Sequence, residues 1–219
     1  QEGLPGKRIL LIGDRELLNL QALIDHSNDV GEIQPVGLIV PGGELDLDII
    51  PTLDRLKDMR RAGSAIPIEE ESGATGFHFQ SDRGVDFTFE HAPYDGKRLK
   101  EDDYRKKYCG DLTQKAKNTK PDVIFLSNFK VVLHPDFVKT FEGKIVNVHP
   151  SVLPHLKGYR PESRADQGES PENSGYTMHL VDTDLDGGPT LFQQHVPLEA
   201  RNSDEESRLG TSEYNKRRE

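Results

Sequence analysis

The sequence predicts an α/β fold in which a mostly parallel sheet is covered by helices on both faces. Short, continuous apolar runs recur along the chain at 8–12, 36–40, 122–126 and 144–148. Segments with apolar residues at helical spacing lie between some of these runs. A strand that is buried on both sides has no polar face, so continuous apolar runs that alternate with helices are typical of parallel sheets.

The first run begins a strand–helix–strand unit. It ends at Gly13, and Asp14 is placed to cap the helix that follows. Apolar residues recur on one face of that helix: Leu17, Leu20, Leu23 and Ile24. The second run then follows, and the order is Rossmann-like in topology. The glycine-rich dinucleotide fingerprint is missing after Ile12, so we predict no NAD site.

The middle of the chain contains two predicted helices and a predicted hairpin. Residues 53–63 have the spacing of an amphipathic helix, and the charged segment 98–117 predicts a solvated helix. Residues 77–90 alternate apolar and polar side chains around a Ser-Asp-Arg-Gly turn, which predicts a hairpin. We interpret its aromatic face as a small core rather than a partner surface.

The last part of the chain is strand-like again. The segments GYTMHLV (175–181) and PTLFQQHVPL (189–198) are two candidate strands joined by DTDLDGG. We predict one domain over residues 1–219. Its core spans 7–198 and includes a hairpin insertion at 71–97, and a polar tail follows at 199–219.

Composition excludes several classes of protein. The 219 residues carry a formal net charge of -10 without a Lys/Arg-rich stripe, which argues against duplex nucleic acid as a partner. No apolar run reaches the ~18 residues that a membrane span needs. The single cysteine, Cys109, allows no intramolecular disulfide, which suits a cytoplasmic location.

The fourth apolar run ends in two polar side chains on one face. In the stretch NVHPSVLP (147–154), Asn147 and His149 are two residues apart, so they point to the same side of a strand. Pro150 cannot donate to a sheet and predicts the strand's end there. Open α/β sheets bind ligands at this end of their strands. A solvated strand end would produce the same pattern.

A second polar stretch, MHLVDTDLDGGP (178–189), carries His179, Asp182, Asp184 and Asp186. Acidic loops of this kind are usually solvated turns or helix caps. The stretch has none of the common metal-binding spacings, such as His-x-His, H-E-x-x-H or an EF-hand loop. We therefore predict no metal site.

Taken together, N-x-H-P-S-x-L-P and H-x-V-D-x-x-L-D-G-G-P resemble the folate-dependent formyltransferase family, most closely its purine-biosynthetic branch. The resemblance runs from PDVIFLSNFKVVLHPDF through LFQQHVPL and implies a Rossmann-like formyltransferase fold. It implies that Asn147, His149 and Asp186 form a catalytic trio, supported by His179 and Ser151. The residues it implies around the folate lie in two loops: Phe129, Lys130, Val131, Val132, Leu133, Asp182, Thr183, Asp184 and Leu185.

The resemblance also implies an activity. The chain would be a transferase of one-carbon metabolism that moves a formyl group from 10-formyltetrahydrofolate, its co-substrate, to a small-molecule primary amine. Glycinamide ribonucleotide is the default acceptor, and a homodimer is the expected assembly. Asn147 would donate to the oxyanion that develops, and His149, oriented by Asp186, would donate or relay protons.

Other stretches depart from the purine branch and keep alternatives open. That branch places a Gly/Ser/Asn-rich loop after its first strand, whereas here the loop is GDRELLN, where Asp14 and Glu16 would repel a phosphate. The segment KGYRPESRADQGE is more like that of other branches. The alternatives are a nucleotide-linked amino sugar or another amine as acceptor, a formyltetrahydrofolate deformylase, and a non-catalytic folate-binding module. Against the deformylase, that branch tends to carry a second histidine where Pro150 stands.

Overall fold

The structure is a computed structural model that describes residues 6–13, 32–42, 65–70, 73–79, 87–158 and 160–196. The chain divides into two compact units. The first contains residues 1–147 and 180–183, and the second contains residues 148–179 and 184–219. The predicted helices at 14–24 and 53–63, the hairpin turn at 81–84 and the polar tail at 199–219 lie outside the described residues.

The described strands that lie wholly or mostly in the first unit are β1 Lys7–Gly13, β2 Ile33–Pro41, β3 Ala65–Glu70, β4 Gly73–Phe79, β5 Phe87–Ala92, β6 Val123–Ser127 and β7 Ile145–His149. The last two residues of β7, Val148 and His149, belong to the second unit. The strands are hydrogen-bonded in the order β3-β4-β5-β2-β1-β6-β7. Strand β1 runs parallel to β2 and β6, β2 runs parallel to β5, and β6 runs parallel to β7. The predicted fold class, a mostly parallel α/β sheet, is confirmed.

All four apolar runs form strands of this sheet. Each begins or ends within a few residues of the predicted bounds, and their side chains supply much of the first unit's core. Leu10, Ile12, Ile39, Ile124 and Ile145 are at most 1% exposed. Because side chains on both faces of the central strands are buried, the runs have no polar alternation.

The hairpin prediction is also correct. Strands β4 and β5 pair antiparallel, with Phe77 opposite Phe89 and Phe79 opposite Phe87. Phe87 and Phe89 are fully buried, as the interpretation of this face as a core requires. Strand β5 also pairs with β2, so the second hairpin strand belongs to the parallel sheet. The sequence analysis missed β3, which pairs antiparallel with β4.

Helix α1, Asp102–Asn118, follows a 3₁₀ turn at Arg98–Lys100 and confirms the helix predicted at 98–117. It is solvated on one side only, because Tyr108, Leu112 and Ala116 recur at four-residue intervals and pack into the core. The negative charge of Asp102 in the first turn stabilises the helix, because it lies near the positive end of the helix dipole.

Helix α2, Pro135–Thr140, begins at an N-cap formed by His134. The backbone N–H of Asp136 donates to Nδ1 of His134 at 3.2 Å, and the side chain of His134 is only 12% exposed. Capping holds the ring of His134 against the chain. His195 is exposed.

The described elements that lie wholly or mostly in the second unit are α3 Pro161–Asp166, a 3₁₀ turn at Pro171–Asn173, β8 Gly175–Leu180 and β9 Thr190–His195. Both predicted strands are present, and they pair antiparallel with Met178 opposite Phe192. Within the described parts of the chain, no helix is long and apolar enough to cross a membrane.

Two buried ionisable groups on α1 predict a loss of stability at alkaline pH. Burial raises the pKa of the Tyr108 phenol above its usual 10.0 and that of the Cys109 thiol above its usual 9.0. The unfolded chain therefore releases these protons first. Stability should be constant below about pH 8 and should fall as the pH rises through 9 and 10, by at most about 1.4 kcal/mol per pH unit for each group.

Urea unfolding at about pH 8 and about pH 11 would measure this loss. In the variant Tyr108→Phe the contribution of the phenol is removed, so the fall above pH 10 should become shallower. An equally steep fall in this variant would contradict the assignment to Tyr108.

Candidate active site

Strand β7 carries the first two residues of the predicted trio. Its sequence IVNVH alternates faces, so Asn147 and His149 are placed on the same side at its carboxyl end. Asn147 is half-buried and lies opposite Leu126 of β6 in the sheet register. His149 is the last strand residue and is 5% exposed. The N–H of Ser151 donates to the carbonyl of His149 at 2.9 Å and turns the chain away from the sheet.

Both ring nitrogens of His149 face oxygen acceptors. Nε2 lies 3.1 Å from the backbone carbonyl oxygen of Leu156, and Nδ1 lies 3.6 Å from Oδ2 of Asp186. Carbonyl and carboxylate oxygens can only accept, so each contact is favourable when the ring nitrogen that faces it carries a hydrogen. The carboxylate on the other side orients the ring. A histidine held in this way can hold or pass a proton at a defined position.

Asp186 is a buried carboxylate in a tight loop. Its side chain is 9% exposed, and Oδ2 accepts a hydrogen bond of 2.8 Å from the backbone N–H of Gly158. On the other side, Nε2 of His179 lies 4.0 Å from Oδ1. A buried carboxylate needs such partners, because desolvation penalises its charge. The structure thus brings His149, His179 and Asp186 together within the second unit.

The backbone of the 184–187 loop explains how Asp186 is aimed. Asp186 has a φ of +51°, in the left-handed region that few non-glycine residues adopt. The N–H of Gly187 donates to the carbonyl of Asp184 at 3.0 Å. A Cβ at position 187 would lie 2.8 Å from Cβ of Asp184, so a larger residue there would displace Asp184.

Ser151 supports the segment that carries the Leu156 carbonyl. It is fully buried, and its hydroxyl lies 3.0 Å from the carbonyl oxygen of His155 and 3.4 Å from that of Leu156. Ser151 and His149 therefore share one acceptor. The contact fits the supporting role implied for Ser151, which remains a prediction.

Two further residues hold this segment, and sequence reasoning missed both. The hydroxyl of Thr177 donates to the carbonyl of Ser151 at 2.7 Å and accepts from the N–H of Leu153 at 3.0 Å. Nε2 of Gln193 donates to the carbonyl of Leu153 at 2.6 Å and to the Thr177 hydroxyl at 3.0 Å. The sequence contained a signal for Thr177, because Thr177 and His179 are polar residues on the same face of a predicted strand.

Replacing Thr177 by valine should lower the free energy of unfolding by about 2 kcal/mol. Valine keeps the shape but leaves the Leu153 N–H and the Ser151 carbonyl without their buried partner. Urea unfolding of the variant beside wild type measures the loss. A matched control is Thr140→Val, because the Thr140 hydroxyl donates to a carbonyl at an exposed position. Equal losses in the two variants would contradict this account.

The first predicted folate loop, 129–133, lies in the first unit. Val131 is 6% exposed and belongs to the core, against which Phe129 and Leu133 also pack. Val132 is 52% exposed, and Lys130 is exposed as well. The side chain of Val131 therefore faces the core, so only its backbone is available to a ligand.

The second predicted folate loop spans 182–186. Asp182 and Thr183 are exposed, and Leu185 is 53% exposed. Asp184 is also exposed and lies 3.7 Å from Nζ of Lys157. An exposed leucine beside backbone groups in a tight turn is the kind of surface on which a flat ring can pack.

The family described as formyl transferase matches residues 79–216, which is more than half of the chain. The chain belongs to the formyl transferase family. The matched range includes β7, the 184–187 loop and every residue of the predicted trio, so the family match covers the whole candidate site.

Curated relatives are enzymes of purine biosynthesis. The chain is 35% identical over 115 residues to phosphoribosylglycinamide formyltransferase of Escherichia coli (strain K12), covering 51% of this chain and 53% of that protein. It is 38% identical over 92 residues to the enzyme of the same name from Haemophilus influenzae, covering 42% and 43%. The chain thus spans about half or less of the length of these curated relatives.

Solved structures share the fold. Phosphoribosylglycinamide formyltransferase from Bacillus halodurans is similar with a TM-score of 0.61 at 19% identity, covering 95% of this chain and 90% of that one. A formyltetrahydrofolate deformylase from Pseudomonas syringae has the same TM-score at 20% identity, covering 96% and 58%. Since a transferase and a deformylase match equally well, this likeness supports the fold and does not separate the two activities.

Proposed function

We propose that this protein transfers a formyl group from 10-formyltetrahydrofolate to a primary amine, with glycinamide ribonucleotide as the acceptor. The observation that carries the proposal is the His149 ring, held between the Asp186 carboxylate and the Leu156 carbonyl at the end of the strand that also carries Asn147. Membership of the formyl transferase family supports the same reaction class.

The reaction needs an oxyanion donor and a proton path. The acceptor nitrogen attacks the formyl carbon, a C–N bond forms, and the formyl oxygen becomes an oxyanion. Asn147 can donate its side-chain N–H to that oxygen, which is the role in which a preorganised donor contributes most. Its position on a β-strand, rather than on a loop, fixes the direction of the amide.

The second half of the reaction breaks the bond between the formyl carbon and N10 of the folate. The attacking amine loses one proton and the leaving N10 gains one, so the transfer is balanced without an external acid. His149 would relay that proton, and Asp186 would hold the ring in place while it does so. His179, 4.0 Å from the same carboxylate, would help to position Asp186.

The proposal assigns folate binding to the loops 129–133 and 182–186. In the first loop the exposed Val132 and Lys130 would contact the ligand, while the backbone of Val131 would supply a donor or acceptor. In the second, Leu185 would supply an apolar contact and Asp182, Thr183 and Asp184 would supply polar ones. The two exposed apolar side chains, Val132 and Leu185, support this assignment.

The acceptor is proposed from the relatives. The curated proteins at 35% and 38% identity carry the name phosphoribosylglycinamide formyltransferase. Nucleotide-linked amino sugars are the competing acceptors, because GDRELLN replaces the expected phosphate-binding loop.

We further propose a cytoplasmic location, in keeping with a single buried cysteine thiol. The expected homodimer can be tested by sedimentation equilibrium.

The test is an absorbance assay for the tetrahydrofolate product. Enzyme and 10-formyltetrahydrofolate are mixed with glycinamide ribonucleotide, with a nucleotide-linked amino sugar, or without an amine. We expect product formation that depends on glycinamide ribonucleotide. Turnover only with the amino sugar would overturn the acceptor, and equally fast formate release without an amine would make the protein a deformylase. Folate binding without turnover for any amine would overturn catalysis.

A further inference from the structure

The peptide group between Lys157 and Gly158 is held at both ends. Its N–H, on Gly158, donates to Oδ2 of Asp186 at 2.8 Å. Its carbonyl, on Lys157, accepts from Nη1 of Arg164 at 2.8 Å. Gly158 has a φ of +87°, which lets the backbone turn its N–H toward the carboxylate. A guanidinium on the carbonyl side polarises the peptide and strengthens the N–H as a donor.

Arg164 is itself fixed by Glu169. Nε of Arg164 donates to Oε2 of Glu169 at 2.8 Å, and Nη2 donates to Oε1, so the pair is bidentate. The side-chain hydrogen bonds from Arg164 lower the pKa of the Glu169 carboxyl, so the pair is charged at neutral pH. A bidentate pair restricts the plane of the guanidinium, which leaves Nη1 aimed at the Lys157 carbonyl.

The end of helix α3 places these two residues side by side. The N–H of Glu169 donates to the carbonyl of Arg164 at 2.9 Å, and the N–H of Gly168 donates to the carbonyl of Ala165 at 3.0 Å. With Gly168 at a φ of +93°, this is a Schellman ending. Ala165, 1% exposed, anchors the helix. The hydrogen bonds at the end of this helix therefore bring Arg164 and Glu169, which are five residues apart, next to each other.

We propose that Arg164, locked by Glu169, is a positioning residue for the Asp186 carboxylate and, through it, for His149. The connection runs from the Glu169 carboxylate to the Arg164 guanidinium, across the Lys157–Gly158 peptide to Asp186, and on to His149 Nδ1. Arg164 touches no reacting atom in this scheme. Its catalytic consequence rests on the proposed formyl transfer, whereas its effect on the Gly158 N–H does not.

The kinetic test compares Arg164→Ala with wild type. We expect kcat to fall about tenfold, because a small displacement of a catalytic group is costly. KM for the folate should stay within about a factor of two, because Arg164 is not assigned to binding. Millimolar guanidinium ion should restore part of the lost rate. Arg98→Ala is the matched control, since Arg98 pairs with Glu101 on the surface of the first unit.

The second readout needs no turnover. In a ¹H–¹⁵N spectrum of the ligand-free protein, Arg164→Ala should move the Gly158 amide proton upfield, as its hydrogen bond to Asp186 weakens. Glu169→Gln should move it the same way by less. If wild type transfers no formyl group, the proposed function fails, yet this spectrum still tests the positioning role.

Two results would overturn the inference. One is a Gly158 amide that is unchanged in Arg164→Ala. The other is a loss of kcat in Arg164→Ala that guanidinium does not restore, as expected for general destabilisation. If Arg164→Ala does not fold, Glu169→Gln and Arg164→Lys decide the question by the same two measurements.

Discussion

Replacing Asp186 by asparagine should lower kcat about 10³-fold while the protein stays folded. The variant keeps an oxygen that can accept from the Gly158 N–H, so the 184–187 loop should be preserved. It removes the negative charge 3.6 Å from Nδ1 of His149 and leaves a neutral amide oxygen there, because Nδ1 and the Gly158 N–H face the same oxygen of Asp186. The imidazole would then lose the stabilisation of its charged form during the proposed proton transfer.

Steady-state kinetics with 10-formyltetrahydrofolate and the acceptor would measure this effect, and circular dichroism would check the fold. Asp111→Asn, which changes an exposed aspartate of helix α1, is the matched control and should leave kcat unchanged. A kcat for Asp186→Asn within about threefold of wild type would remove Asp186 from the mechanism, since an orienting carboxylate contributes far more than that.

Replacing Asn147 by alanine should lower kcat by about 10²- to 10³-fold, the usual cost of losing one oxyanion donor. KM for the folate should change little, because the amide would interact with charge that develops only in the transition state. Asn147→Asp is the sharper test. Aspartate has the same shape as asparagine but presents a carboxylate where the oxyanion would form. The kcat of Asn147→Asp should therefore be lower than that of Asn147→Ala.

Asn118→Ala, at the exposed end of helix α1, serves as the control for asparagine truncation. Asn147→Ala and Asp186→Asn should also combine less than additively, since both residues would act on one transition state in the proposed mechanism. Should Asn147→Ala raise KM with kcat unchanged, the amide would be a binding group and the oxyanion assignment would be wrong.

The sequence contained enough information for the sheet. Strands β1, β2, β6 and β7 contain short, largely apolar runs bounded by polar or turn residues, and β4 and β5 alternate around a recognisable turn. Strand β3 was missed for a physical reason. Its sequence AIPIEE contains Pro67 and two glutamates, and it is a strand because β4 supplies its hydrogen bonds. Such an edge strand depends on its neighbour more than on its own propensity.

The candidate site was predicted in part. Asn147 and His149 share a strand face by the two-residue period alone, and the motif around Asp186 was visible in the chain. Sequence reasoning did not find Thr177, Gln193, Arg164 or Glu169. Thr177, Gln193 and Arg164 each contact a backbone group of another segment, and Glu169 contacts the Arg164 side chain. Backbone groups are the same in every residue, so the sequence does not show which of them needs a side-chain partner.

The sequence by itself determined the fold class, the strands of the parallel core and the residue types available for formyl transfer. Periodicity and apolar runs suffice for these, because they are local properties of the chain. Only the tertiary structure decided that the His149 ring lies between the Leu156 carbonyl and the Asp186 carboxylate, and that the Lys157–Gly158 peptide connects Asp186 to Arg164. Those contacts join residues up to 37 positions apart, and loop geometry, including the positive φ of Asp186 and Gly158, sets their direction.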